Sequence, residues 1–167
     1  ITVDAQGNVY VAGYVTLTLK YKDMILLKYN SSGTLLWARS YGITGLYMED
    51  RALGIALDAS NSIYVTGYGT GATDGNRKWT KQENGASNYS AEGYGIVVDN
   101  AGNIIVTGYV TSQSNWEDII LNKYNASGTL IWSTTYNNNN YNDEDKAWGI
   151  VVDADNNIYV SGHTTID

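Results

Sequence analysis

VDNAGNIIVTGYV, residues 98–110, is the stretch that decides the fold, because close copies of it recur along the chain. The copies are VDAQGNVYVAGYV (3–15), LDASNSIYVTGYG (57–69) and VDADNNIYVSGHT (152–164). Each begins with an Asp/Asn/Gly turn and continues as a run of β-branched and aromatic residues, which is the pattern of a tight turn followed by a β-strand. The recurrence therefore predicts a chain of repeated β units.

A second phrase follows the first one in two places. It is DMILLKYNSSGTLLWARSY at residues 23–41 and DIILNKYNASGTLIWSTTY at residues 118–136, which is an offset of 95. At that offset residues 1–72 align with residues 96–167 without a gap, and 35 positions are identical. Because even the loops match in length, the alignment indicates duplication of a two-unit block.

Each complete unit is predicted to have four antiparallel strands joined by turns in which Gly or Asn takes a positive φ. Four-stranded units that repeat at roughly 40–55 residues are typical of β-propeller blades. We therefore predict an all-β fold, with residues 1–167 forming a single β-propeller segment. Its units are about 1–53, 54–92 (shortened), 93–147 and 148–167 (incomplete).

The two phrases, V-D-x-x-G-N-x-Y-V-x-G-Y and D-x-x-L-x-K-Y-N-x-x-G-x-x-x-W, resemble the SBBP repeat, a seven-bladed β-propeller repeat of bacterial exported proteins. The resemblance implies a seven-bladed ring, of which this chain supplies about three and a half blades as a partial or open propeller. It also implies an extracellular or cell-surface location. The sequence departs from the repeat at residues 69–92, a Gly/Asn-rich stretch, and at Asp167, where the last unit stops after two strands.

The charge and composition of the chain exclude several classes of partner and chemistry. A net charge of -7 and a pI near 4.5 argue against nucleic acid and anionic lipid, since both attract basic surfaces. The absence of cysteine excludes disulfides, thiolate nucleophiles and Cys-ligated zinc. Because no apolar run approaches the roughly 20 residues of a membrane helix, we expect no membrane insertion. The expected partners are protein or polysaccharide at the cell surface.

Propeller geometry places the long connections, between strands two and three and between successive units, on one face. Loops held by a rigid scaffold commonly carry binding residues. The aromatic residues on these loops are Tyr21, Tyr47, Trp79, Trp116 and Tyr141. Rings beside amide groups suit carbohydrate or peptide, because the rings stack while the amides donate and accept hydrogen bonds. The alternative, which we favour for each ring, is packing between neighbouring blades.

Two groups of acidic residues raise the question of calcium. The turn aspartates are Asp4, Asp58, Asp99 and Asp153, and each turn supplies only one or two carboxylates. For these we favour a structural role, in which Asp accepts hydrogen bonds from N–H groups of its own turn.

The better calcium candidates are Asp143, Glu144 and Asp145, although the sister unit has only Glu49 and Asp50 at this place. The favoured alternative is a solvated loop with a basic neighbour. We therefore predict no cofactor, with calcium as the one candidate.

Repetition assigns the large aromatic residues to the core. Trp37 and Trp132 recur in the fourth strand of the complete units, and Tyr29 and Tyr124 recur in the third. His163, the only histidine, takes a position held by Tyr in the other units, so it is interpreted as sequence drift. With one histidine and no cysteine, a nucleophilic triad would have to include His163. No catalytic residue is predicted.

The leading functional hypothesis is a non-enzymatic module that serves as a structural scaffold or protein-interaction platform. One alternative is a carbohydrate-binding module that uses the loop aromatics. Another is a polymerising structural subunit joined through open blade edges, whose unpaired backbone groups invite pairing with another chain. The least favoured is a carboxylate-based hydrolase or lyase, which would need two acids roughly 5–10 Å apart in a cleft of the long-loop face.

Overall fold

The structure is a computed structural model that describes residues 1–16, 22–42, 49–69, 90–111, 116–138 and 144–165. Within these residues the chain forms twelve β-strands and no helix. The all-β fold predicted from the sequence is therefore confirmed. The chain divides into two compact units, Ile1–Arg77 and Lys78–Asp167, and each is described by itself.

The first unit contains one four-stranded antiparallel sheet and one hairpin. The sheet consists of β1 (Thr2–Val3), β2 (Val9–Thr16), β3 (Lys22–Tyr29) and β4 (Leu35–Tyr41). The hairpin consists of β5 (Asp50–Leu57) and β6 (Ile63–Gly69). Every strand pairs with its neighbour in sequence, so the sheet is a simple meander.

The second unit has the same plan, as expected for a duplicated block. Its sheet consists of β7 (Ala91–Val98), β8 (Ile104–Thr111), β9 (Glu117–Tyr124) and β10 (Leu130–Tyr136). Its hairpin consists of β11 (Lys146–Val152) and β12 (Ile158–His163). Each sheet corresponds to a propeller blade, and each hairpin corresponds to the first two strands of a blade.

A tight turn joins the first two strands of every sheet and hairpin. In the first of these turns the amide of Asp4 donates to the carbonyl of Asn8 at 3.0 Å, and the amide of Gly7 donates to the carbonyl of Asp4 at 3.0 Å. One residue of each turn has a positive φ, and these residues are Gly7, Asn61, Gly102 and Asn156. Gly and Asn adopt this conformation at low cost, which explains the Gly/Asn position of the repeated phrase.

A bulge in the first strand explains the glycine in the second. In β7 the register shifts between Gly93 and Gly95, and β5 and β11 shift at the same place. A Cβ added at Gly67, Gly108 or Gly162 would lie 1.8–2.0 Å from a backbone oxygen of the bulged strand. Glycine is therefore needed because the bulged backbone comes close to the second strand.

The core of the first unit lies between the sheet and the hairpin. Tyr10 of β2, Leu26 of β3 and Ile55 of β5 form its buried cluster, and Trp37 of β4 packs against them. In the second unit the most deeply buried apolar residues include Ile104 and Ile105 of β8 and Ala147 of β11. Burial of such side chains is the main favourable term in folding.

The first strands begin earlier than the unit boundaries drawn from the sequence. The boundaries at 54, 93 and 148 correspond to strands that begin at Asp50, Ala91 and Lys146. Pairing with the second strand continues across the bulge to these earlier residues. Residues 70–89, which make up most of the departure from the repeat, lie outside the described residues.

Candidate functional site

The loop aromatics proposed for binding fall mostly outside the described residues. Trp116 is described, and its side chain is half-buried directly before β9. Tyr21, Tyr47, Trp79 and Tyr141 lie in ranges that the structure does not describe. Carbohydrate binding through these rings therefore stays a prediction.

The turn aspartates are hydrogen-bonded within their own turns. In all four turns Oδ1 of the aspartate accepts two backbone N–H groups at 2.8–3.0 Å. The residues are Asp4, Asp58, Asp99 and Asp153. Their other oxygen accepts a tyrosine hydroxyl at 3.0–3.1 Å in every turn except that of Asp99, where the tyrosine is replaced by Ile105. Through these hydrogen bonds the carboxylates stabilise their own turns.

An ion pair further anchors the turn in each complete sheet. Lys123 Nζ lies 2.7 Å from Asp99 Oδ2, and Lys28 Nζ lies 3.8 Å from Asp4 Oδ2. Burial raises the pKa of Asp99, but hydrogen bonds from Lys123 and Asn103 outweigh this effect and bring it to about 2. Asp99 is therefore ionised at neutral pH and pairs with the third strand of its own sheet.

The three acidic residues suggested for calcium differ in their burial. Asp143 lies outside the described residues, Glu144 is exposed and Asp145 is only 1% exposed. The solvated loop favoured from the sequence is therefore wrong for Asp145, and also for Asp50, which is 3% exposed. The reason in the second unit is that Asp145 packs against β9, where its N–H donates to the carbonyl of Glu117 at 2.7 Å.

Four strand ends meet around Asp145, because β9 and β11 begin there while β10 and β12 end there. Asn137 Nδ2 donates to Asp118 Oδ1 at 2.7 Å, and the N–H of Asn138 donates to Asp145 Oδ2 at 3.1 Å. Asn138 Nδ2 also donates to Thr164 Oγ1 at 2.9 Å. We call these residues, Asp118, Asn137, Asn138, Asp145 and Thr164, the loop-end cluster. It lies on the face where the sequence placed binding.

The carboxylates of the loop-end cluster influence each other. Burial raises the pKa of Asp118, Asn137 lowers it, and the charge of Asp145 raises it again, with a net increase. Because Asp145 is enclosed, the cluster does not present two accessible acids in a cleft, as glycoside hydrolysis requires. No group of three or more His, Asp or Glu side chains is arranged to hold a metal ion in the described part of the chain.

A lysine beside the loop-end cluster is already paired. Lys146 Nζ lies 2.5 Å from Glu117 Oε2 and 3.2 Å from Glu144 Oε2. Burial lowers the pKa of Lys146, but hydrogen bonds to these two carboxylates outweigh the burial and raise it. The positive charge of Lys146 is therefore held by Glu117 and Glu144.

The aromatic residues assigned to the core differ in their burial. Tyr124 is 3% exposed, whereas Tyr29, Trp37 and Trp132 are half-buried. The ring of Trp37 meets that of Tyr10 edge to face, with centroids 6.3 Å apart. Such contacts between the fourth and second strands add to the burial energy of the rings.

His163 belongs to a row of rings that the sequence did not predict. Its ring stacks on Trp148 at 5.8 Å, and Trp148 lies 4.6 Å from the ring of Tyr94. The signal in the sequence was a double change at the 95-residue offset, because Trp148 replaces Leu53 and His163 replaces Tyr68. These two changes look unrelated until the bulge of β11 brings the side chains together.

The second strand of the last hairpin borders an open cleft of about 460 Å³. The cleft lies between β12 and the outer half of the sheet, and its lining includes Ile119, Leu121, Tyr136 and Val160. The hairpin also exposes apolar side chains, with Val151 61%, Tyr159 56% and Val160 40% accessible.

Residues 78–114 match the family model described as SBBP, a beta-propeller repeat. Residues 78–114 are an SBBP-type β-propeller repeat. The matched SBBP repeat includes β7 and β8, the first two strands of the sheet in the second unit. The four-stranded antiparallel sheets are blades of a partial or open propeller.

No curated protein matches the chain by sequence. No helix in the described ranges is long and apolar enough to span a membrane.

Proposed function

We propose that this β-propeller module is a non-enzymatic structural scaffold and protein-interaction platform of an extracellular or cell-surface protein. We propose further that it associates head to tail with a second copy through the exposed second strand of its last hairpin, which we call the end face. The observation that carries this is the exposure of Tyr159, which is 56% accessible, whereas Tyr10 at the same repeat position is 3% accessible. A side chain that the repeat normally buries is thus offered to a partner.

The internal packing of the first unit supports a second copy as the proposed partner. Tyr10 of the sheet packs in one cluster with Ile55, on the first strand of the next repeat. A second copy could cover Tyr159 with one of its own first strands, in the way that Ile55 of β5 lies against Tyr10. Because this contact is heterologous, it leads to rings or open filaments.

Charge gives the proposed association a salt dependence. The net charge of -7 makes two copies repel each other, while the end face exposes the apolar side chains of Tyr159 and Val160. Added salt screens the repulsion and leaves the burial of Tyr159 unaffected. Association should accordingly strengthen between about 0.01 and 0.5 M sodium chloride, a range over which the Debye length falls several-fold.

Sedimentation velocity over a range of protein concentrations tests the proposal. We expect the wild-type chain to associate, and Tyr159→Lys to raise the dissociation constant at least tenfold because it places a charge in the contact. The matched control is Ile131→Lys, since Ile131 is also 50% exposed but lies on β10, within a complete sheet. The control should associate like the wild type.

A wild-type chain that stays monomeric at the highest concentration and salt would contradict head-to-tail association. Equal weakening by Tyr159→Lys and Ile131→Lys would also contradict it, because the loss would then reflect net charge and not the end face. Far-ultraviolet circular dichroism of each variant establishes that the sheets are retained.

A further inference from the structure

The loop-end cluster holds a carboxylate oxygen without a donor. Asp145 is 1% exposed, and among the described residues its Oδ1 has no hydrogen-bond partner. In the described part of the chain its Oδ2 accepts one backbone N–H, from Asn138. A buried carboxylate that lacks full pairing is costly, so a group that supplies positive charge at this oxygen would stabilise the fold.

The surroundings of Asp145 Oδ1 carry more negative than positive charge. The carboxylates of Asp118 and Asp145 lie close enough for the charge of one to raise the pKa of the other. Lys146 is adjacent, but its ammonium group is held by Glu117 and Glu144. Within the described residues, four carboxylates thus share one ammonium group, and no counterion is described for Asp118 and Asp145.

The corresponding site of the first unit has a different balance of charges. Asp23 and Asp50 occupy the positions of Asp118 and Asp145, but Lys22 stands where the second unit has Glu117. In the first unit Glu49 pairs with both Lys22 and Arg51. One exchange of Lys for Glu therefore makes the second site more negative by two charges, which is the charge of a divalent cation.

We propose that Asp118 and Asp145 bind one calcium ion, and that the corresponding aspartates of the first unit do not. Calcium takes carboxylate, amide and water oxygens in flexible geometry, so two carboxylates suffice when other oxygens complete the shell. Asn137 can supply an amide oxygen, because rotation of its side-chain amide exchanges the donor that now faces Asp118 for the carbonyl. With only two carboxylates we expect weak binding, with a dissociation constant of about 10⁻⁴–10⁻³ M, the weak end of the range for calcium sites in proteins.

Isothermal titration calorimetry of the EDTA-treated full chain with calcium chloride tests the site. We expect one saturable site per chain in the wild type. Asp145→Asn should weaken binding at least tenfold, and Asp50→Asn, its counterpart in the first unit, should leave binding unchanged. Glu117→Lys should abolish binding while the fold is kept, because the first unit already accommodates Lys22 at this position.

Thermal melting gives a second readout on the same proteins. In 10 mM calcium the wild type should melt about 3–6 °C higher than in EDTA, while Glu117→Lys should not respond. Absence of a saturable site in the wild type would overturn the proposal. Unchanged affinity in Glu117→Lys, or an equal loss in Asp50→Asn and Asp145→Asn, would overturn it too. None of these results depends on the association proposed above.

Discussion

The two complete sheets and the last hairpin begin with the same two strands, but the second strand is more deeply buried in the sheets than in the hairpin. Tyr10 and Ile105, in the second strands of the two sheets, are 3% and 0% exposed, whereas Tyr159 in the hairpin is 56% exposed. All three follow the same Asp/Asn/Gly turn, and Tyr159 even retains its hydrogen bond to the turn aspartate. The turn and the pairing of the first two strands of a blade therefore form even where the second strand is exposed.

The covering of the second strand comes from the third and fourth strands and from the next repeat. In the first sheet Leu26 of β3, Trp37 of β4 and Ile55 of β5 surround Tyr10. Among the described strands, β12 pairs with β11 alone. The hairpin of β5 and β6 also lacks the K-Y-N…G-x-x-x-W phrase, yet Tyr64 at this position is only 8% exposed. Exposure of the second strand is therefore a feature of the last hairpin.

The largest expected effect on the free energy of unfolding comes from truncating the tyrosine of the second strand, in the first sheet and in the last hairpin. Tyr10→Ala should lower the free energy of unfolding by about 3–5 kcal/mol, because it leaves a cavity among Leu26, Trp37 and Ile55. Tyr159→Ala should change it by less than about 1 kcal/mol, since its ring is already in water. Urea unfolding followed by circular dichroism measures both, and equal losses would show that the hairpin has a core of its own.

A smaller effect is expected at the glycine of the second strand. Gly108→Ala should destabilise the fold by about 1–3 kcal/mol, because the new Cβ would lie 1.8 Å from the carbonyl oxygen of Glu92. Gly13, at the same repeat position in β2, has nothing within 4 Å of its added Cβ. Gly13→Ala should therefore be neutral or stabilise by up to about 1 kcal/mol. The opposite order of the two variants would disprove the role of the bulge.

Most of the fold could be predicted from the sequence because its determinants are local and repeated. The turn needs an Asp acceptor such as Asp4 and a residue with positive φ such as Gly7, and both are visible in every copy of the phrase. The bulge was not predicted, since it depends on how the first and second strands pair. The first strands begin two to four residues before the boundaries drawn at 54, 93 and 148.

The candidate site was only partly predictable. The sequence identified the long-loop face and included Asp145 among its acids, but it placed that residue in solvent. Burial of Asp145 arises from contacts with Glu117 and Asn138, which lie on other strand ends and carry no shared pattern in the sequence. The exchange of Lys22 for Glu117 was visible at the 95-residue offset, but its meaning required the ion pairs of the structure.

Hydrogen–deuterium exchange of the backbone amides, measured in dilute and in concentrated protein, tests most directly whether the last hairpin is an open face that takes a partner. We expect β12 to exchange much faster than β8 in dilute protein. In concentrated protein β11 and β12 should become protected, while β8 and β9 stay unchanged. Equal protection of β8 and β12 in dilute protein, or no dependence on concentration in β12, would show that the last hairpin is not an open face that takes a partner.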